Sequence, residues 1–151
     1  MLLNLPFRLV RVNGDSMWPT LHSRDLTIVR RRRPRRGDVV AFLVADSTGT
    51  HSSGPAIFIK RLIGLGGDEV AICDGAVFVN GDVLSEPYLV AEWTRLRSHR
   101  SGARFTVEAN HLFFLGDNRD QSLDSRRIGS QPESAVLGVV VGRIWRADKR
   151  R

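Results

Sequence analysis

The stretch Glu69-Val70-Ala71-Ile72-Cys73-Asp74-Gly75-Ala76-Val77-Phe78-Val79-Asn80-Gly81 decides the fold class. Short runs of β-branched and aromatic residues flank Asp74-Gly75, and Asp-Gly is a dipeptide that suits a two-residue hairpin, because both turn positions need positive φ. Asn80-Gly81 repeats the signal one strand later. Outward from there, short apolar segments rich in valine and isoleucine and bounded by Gly, Asp and Asn predict further strands. They run from Phe7 to Val12, Leu26 to Arg31, Asp38 to Val44 and Ile57 to Leu65, then from Arg104 to Val107, Leu112 to Leu115 and Val136 to Trp145. Helical stripes are nearly absent. The expected fold is therefore all-β and antiparallel, barrel-like or sandwich-like. Asp46 to Pro55, rich in Ser, Thr and Gly, and Ser85 to Ala103 read as loops.

The chain has 151 residues, one domain's worth, and 42% of them are hydrophobic. A domain of this size buries enough surface to need no staples. The single cysteine, Cys73, excludes an intrachain disulfide. No stretch approaches the ~18–20 consecutive apolar residues of a membrane-spanning helix. The opening Met1 to Val12 is broken by Pro6, Arg8 and Arg11 and lacks the features of a signal peptide. A self-contained transmembrane protein is thus not expected.

The formal net charge is +7, and its densest source is Arg30-Arg31-Arg32-Arg33-Pro34-Arg35-Arg36. Pro34 interrupts the run, no aromatics interleave to stack bases, and Gly37-Asp38 follow at once. A solvated loop is expected there and no nucleic-acid partner, although attraction to anionic lipid head groups needs no base recognition. Arginine supplies nearly every cation: Lys60 and Lys149 are the only lysines. Lys149 sits in a charged tail, whereas Lys60 lies in the apolar run Ile57-Phe58-Ile59-Lys60-Arg61-Leu62-Ile63. Guanidinium does not lose its proton in a protein, so a site that needs a neutral amine must use lysine.

Three places combine small polar residues in ways a packed β-core does not require. They are Gly14 to Leu21, Lys60 to Asp68 and Gly116 to Arg126. Ser16 is not a hydrolase nucleophile elbow, because Trp18 stands where glycine would be needed. His22, His51, His99 and His111 have no evident ordering carboxylate and no metal-ligand spacing, so neither a Ser-His-Asp triad nor a metal or other cofactor is expected. A serine without histidine still needs a base. Lysine serves if apolar neighbours lower its pKa, because burial disfavours the charged form.

Four blocks then carry a resemblance in order along nearly the whole chain: Ser16 to Leu21, Arg36 to Phe42, Lys60 to Asp68, and the eleven-residue block Gly116 to Arg126. Together they resemble the type I signal peptidases, the leader-peptidase family of Ser-Lys dyad serine proteases. The resemblance implies that Ser16 is the nucleophile and Lys60 the general base. It implies also that Ser122 orients the lysine amine, that Asp124 and Arg126 form an ion pair supporting the site, and that Met17 lines the floor of the substrate cleft. A small β-subdomain inserted at about residues 74–108 within one catalytic domain of residues 1–151 is expected. The implied reaction is cleavage of leader peptides after small residues, at Ala-x-Ala-like sites, through an acyl-enzyme. Its partners would be precursor proteins, at the extracytoplasmic face of the cell membrane, with an apolar surface formed by Leu2, Leu3, Leu5, Phe7 and Trp18.

The departures are Gly14, where some members of the family carry a serine that assists the oxyanion, Gly66 in place of the usual proline, and the absence of the usual membrane helix from the 15 residues ahead of Ser16, so that either the numbering starts inside a longer product or the protein is a soluble or peripherally held member. Two alternatives stand beside this reading. One is a soluble cytoplasmic maturation peptidase with a single client, like those of nickel superoxide dismutase. The other is a LexA-like self-cleaving regulator core, against which the length available before Ser16 argues.

Overall fold

The structure, a computed structural model, describes residues 6–45, 54–90 and 102–145. Leu2, Leu3, Leu5, His51, His99, Lys149 and much of the two expected loops lie outside the described residues. The chain forms β1 (Phe7–Arg11), β2 (Leu26–Arg30), β3 (Val39–Val44), β4 (Ala56–Leu65), β5 (Glu69–Cys73) and β6 (Ala76–Val79). It continues with β7 (Asp82–Val83), β8 (Ala103–Thr106), β9 (His111–Leu115), a single helical turn α1 (Ser125–Ile128), β10 (Gln131–Pro132) and β11 (Val136–Trp145). Both hairpin signals are realised. Asp74 and Gly75 have φ of 48° and 80°, and Asn80 and Gly81 have φ of 53° and 88°, so Cys73 pairs with Ala76 and Val79 with Asp82.

Two antiparallel sheets result. The larger has seven strands in the order β1-β2-β11-β3-β4-β9-β10, and the smaller has four, in the order β7-β6-β5-β8. Among the described residues β1 and β10 are free edges, so the larger sheet is open rather than a closed barrel. The smaller sheet lies between β4 and β9 in sequence. It joins the larger one through a shared apolar cluster: Val70, Val77, Val79 and Val107 pack with Ile63, Phe113 and Leu115. Val40, Phe42, Leu62, Leu112 and Phe114 form a second cluster, in which the Phe42 and Phe114 rings stack at 4.2 Å. A third unites Val10, Val12, Val29, Ala41 and Ile59 with Met17 and Leu21 from the loop after β1. Burying two side chains of that loop is what fixes the residues around them.

Candidate active site

Ser16 sits in the loop between β1 and β2, half-buried, one residue before Met17, which is 1% exposed. The loop is closed at its base, where Val12 N–H donates to Asp25 O at 2.9 Å and Arg24 N–H to Val12 O at 2.8 Å. Inside it, Trp18 N–H donates to Asp15 O at 3.0 Å and Leu21 N–H to Met17 O at 2.9 Å. Ser16 is thereby presented on a backbone held from below by the core.

Lys60 is near the middle of β4, opposite Val40 of β3, and is 5% exposed. Its Nζ donates to Ser16 Oγ at 2.7 Å and to Ile59 O at 3.2 Å, and stands 5.2 Å from the centre of the Phe58 ring. Burial lowers its pKa to about 8, with the carboxylates of Asp124 and then Asp117 pulling it partly back up. A buried amine at hydrogen-bond distance from a serine hydroxyl, with its proton loosened by desolvation, is a base poised beside a nucleophile.

The loop after β9 supplies the surroundings. Asp124 accepts from Arg126 Nε and Nη2, both at 2.9 Å, and from Gly116 N–H at 3.0 Å, and its side chain also caps α1. Burial pushes its carboxyl up, but the Arg126 guanidinium and the Gly116 N–H outweigh this and leave it below the usual range. Asn118 ties this loop to the serine, donating through N–H to Ser16 O at 2.9 Å and through Nδ2 to Asp15 O at 3.0 Å. Gly116 permits the approach: a Cβ there would lie 2.6 Å from Ser16 O and 2.1 Å from Ser122 Oγ.

Ser16, Lys60, Asp124 and Arg126 are therefore brought into one neighbourhood. Ser122 differs in detail: its buried Oγ makes no hydrogen bond, either to the lysine amine or to another group among the described residues. The Met17 side chain packs into the core cluster, with almost no surface to offer a substrate.

Sequence reading misses a second set of residues. Arg61, the residue after Lys60, grips Asp117 with Nε at 2.8 Å and Nη2 at 2.6 Å, and donates through Nη1 to Gly37 O at 2.7 Å. Thr20 donates its hydroxyl to the same carboxylate. The only sequence signal for this pair is that both members lie inside resembling blocks, since a separation of 56 positions hides the contact. The arginine run lies elsewhere. Arg31, Arg33 and Arg35 line a groove of about 1120 Å³ with Leu65 and Leu112, and Arg32 pairs with Asp38 at 2.9 Å. Among the described residues no cluster of His, Cys, Asp and Glu is grouped to hold a metal, and no helix is long and apolar enough to cross a membrane.

The comparisons with known proteins converge. The family described as signal peptidase, peptidase S26 matches residues 1–145. The chain is 37% identical over 139 residues to a Synechocystis protein named "Probable signal peptidase I-2", covering 89% of this chain and 61% of that one. It is 34% identical over 148 residues to the signal peptidase I of Bacillus caldolyticus, covering 89% and 77%. The chain thus spans about three fifths of the Synechocystis relative's length. The crystal structure of a signal peptidase I from Enterococcus faecalis aligns with a TM-score of 0.58 at 30% identity, covering 72% of this chain and 97% of that one. These matches favour the first of the three readings over the maturation-peptidase and repressor alternatives, and on the family match and the identities together the chain belongs to the signal peptidase family, peptidase S26.

Proposed function

We propose that the protein is a serine endopeptidase of the signal peptidase I type, which removes leader peptides after small residues at Ala-x-Ala-like sites. The observation that carries this is the 2.7 Å contact between a buried lysine amine and Ser16 Oγ. With Lys60 neutral, the same contact runs the other way, and the serine hydroxyl donates to the amine. Nζ takes the proton as Oγ attacks the scissile carbonyl carbon. The developing oxyanion needs preorganised donors. Among the described residues the Ser16 N–H donates to nothing, and it would serve; Gly14 contributes no hydroxyl. Collapse of the tetrahedral intermediate breaks the C–N bond, and the lysine's proton passes to the leaving amine. An ester on Ser16 remains. Lys60 then takes a proton from water as its oxygen attacks the ester, and Ser16 leaves with that proton.

Asp124 and Arg126 hold the loop against which Ser16 rests, with Ser122 beside Asp124, and none of the three takes part in proton transfer. The substrates are precursor proteins carrying cleavable leaders. We place the enzyme at the extracytoplasmic face of the membrane. Exposed Phe7 (46%) and Leu9 (59%) on β1, and exposed Val141 and Ile144 on β11, give it apolar surface next to Arg8, Arg11 and Arg30.

Cleavage of a fluorogenic leader peptide with an Ala-x-Ala site tests the chemistry. Wild type is expected to cleave it, with the rate rising as pH passes through about 8 and Lys60 loses its proton. Lys60→Arg is expected to be inactive at every pH, because a permanent cation cannot accept the serine's proton. Turnover by that variant would overturn the mechanism.

A further inference from the structure

The segment after β7, Ser85 to Leu89, turns tightly, with Leu89 N–H donating to Glu86 O at 3.1 Å, and comes to rest on Arg61 and Arg119. The Tyr88 ring lies over the Arg61 guanidinium, 3.7 Å from its central carbon. Its hydroxyl donates to Glu86 Oε1 at 2.7 Å. Glu86 accepts from Arg119 through both guanidinium Nη atoms, and both of these ion-paired side chains are only 8% exposed. Arg119 Nε donates to Gly116 O at 2.9 Å. Gly116 precedes Asp117, which Arg61 grips. The contacts therefore close a ring from Tyr88 through Arg61, Asp117, Gly116, Arg119 and Glu86 back to the Tyr88 hydroxyl.

Proton transfer between Ser16 and Lys60 requires none of this. A buried Glu–Arg pair costs desolvation energy that its Coulomb attraction only partly returns, and its best-attested use is to specify geometry. What the ring encloses is one of the two carboxylates that act on Lys60. Asp124, held by Arg126, is the other; the elements packed around them also carry Arg61, which holds Asp117, Glu86 with Arg119, and Asp15, Asp120 and Arg127.

We propose that Glu86 and Tyr88 are positioning residues for the Ser16–Lys60 pair: a clamp laid across Arg61 and Arg119 that keeps water from Asp117 and holds constant the field at the lysine amine. This deepens the peptidase reading and rests on it. Opening the clamp admits water beside Lys60 and loosens the Arg61 grip on Asp117. Burial is the largest influence on the amine, and relieving it moves the pKa up, as does a less neutralised Asp117. The Tyr88 phenol is pushed up by burial and by Glu86, so it remains a donor throughout the relevant pH range.

The chain has only two lysines, so lysine-selective 15N or 13C labelling yields two side-chain signals, Lys60 and Lys149, and the Lys60 titration is read directly by NMR. Tyr88→Leu and the charge-neutral double variant Glu86→Gln/Arg119→Gln are each expected to raise the Lys60 midpoint by roughly half a pH unit or more. The acid limb of kcat/KM for the leader peptide is expected to move by the same amount. Tyr88→Phe, which keeps a ring over Arg61, is expected to restore most of the wild-type midpoint. Folded variants whose Lys60 midpoint does not move would overturn the clamp, whatever their thermal stability or activity. Should Tyr88→Leu fail to fold, the Glu86→Gln/Arg119→Gln variant, which removes the buried pair without changing net charge, decides. The titration is read whether or not peptide is cut: a wrong peptidase reading shows as an inactive wild type, and a wrong clamp as an unmoved midpoint.

Discussion

Lys60 is held in a place that opposes its own charge. Its pKa falls from 10.5 to about 8 on burial, which at 1.36 kcal/mol per unit corresponds to about 3 kcal/mol against folding when the amine is charged. The unfolded chain binds the lysine proton more tightly than the folded one between those two values, so stability from this group rises with pH across that window. Below it the full cost is present, and above it none remains. Lys60→Met is therefore expected to be more stable than wild type at pH 6.5, by up to about 3 kcal/mol. The advantage should vanish by about pH 10.5. Thermal unfolding of both proteins at the two pH values checks this, and a pH-independent difference would contradict it. The residue itself is legible in the sequence, because a lysine inside an apolar strand stands out in a chain that otherwise uses arginine. The Arg61–Asp117 pair is not, since charge complementarity at long separation has no local pattern.

Nine of the strands end within one residue of where periodicity places them, because most are bounded by Gly, Asp or Asn turns with their own backbone requirement. The misses are the elements too short to have a period. Asp82–Val83 and Gln131–Pro132 owe their pairing to neighbours already in place, and α1 owes its single turn to the Asp124 cap. Ser85 to Ala103 reads as a loop on composition, yet its first residues are docked on Arg61 and Arg119, contacts that only the folded chain reveals. The block from Gly116 is more exacting than its polar composition implies. Gly116→Ala forces a methyl group against Ser16 O and Ser122 Oγ, one of them backbone. Overpacking of this kind costs about 1–3 kcal/mol. The loop that carries the serine must move to relieve it, so kcat/KM for the leader peptide is expected to fall at least tenfold while the protein stays folded. Unchanged kinetics would mean that the loop adjusts without disturbing Ser16.

In the whole molecule the site is a meeting point of β4, the loop after β1 and the loop after β9. Two sheets and their shared core hold these apart and in register. The membrane placement belongs at this scale, since it depends on surface and not on the dyad. Wild type is expected to float with liposomes. Serine at both Phe7 and Leu9 should reduce the bound fraction roughly tenfold or more, from the apolar area lost. Wild type that remains at the bottom of the gradient, with or without anionic lipid, would remove the enzyme from the membrane surface while leaving its chemistry intact.

β11 is the last of the described strands in chain order, yet it occupies the middle of the larger sheet, between β2 and β3. Until residues 136–145 emerge, β2 and β3 are each left with an open edge, and the strands bearing the serine loop and the lysine belong to two unconnected ladders. Open edges of that kind invite pairing with other chains. A nascent or truncated chain that lacks residues 136–145 is thus prone to aggregate, and the meeting of Ser16 with Lys60 depends on a strand that carries neither of them.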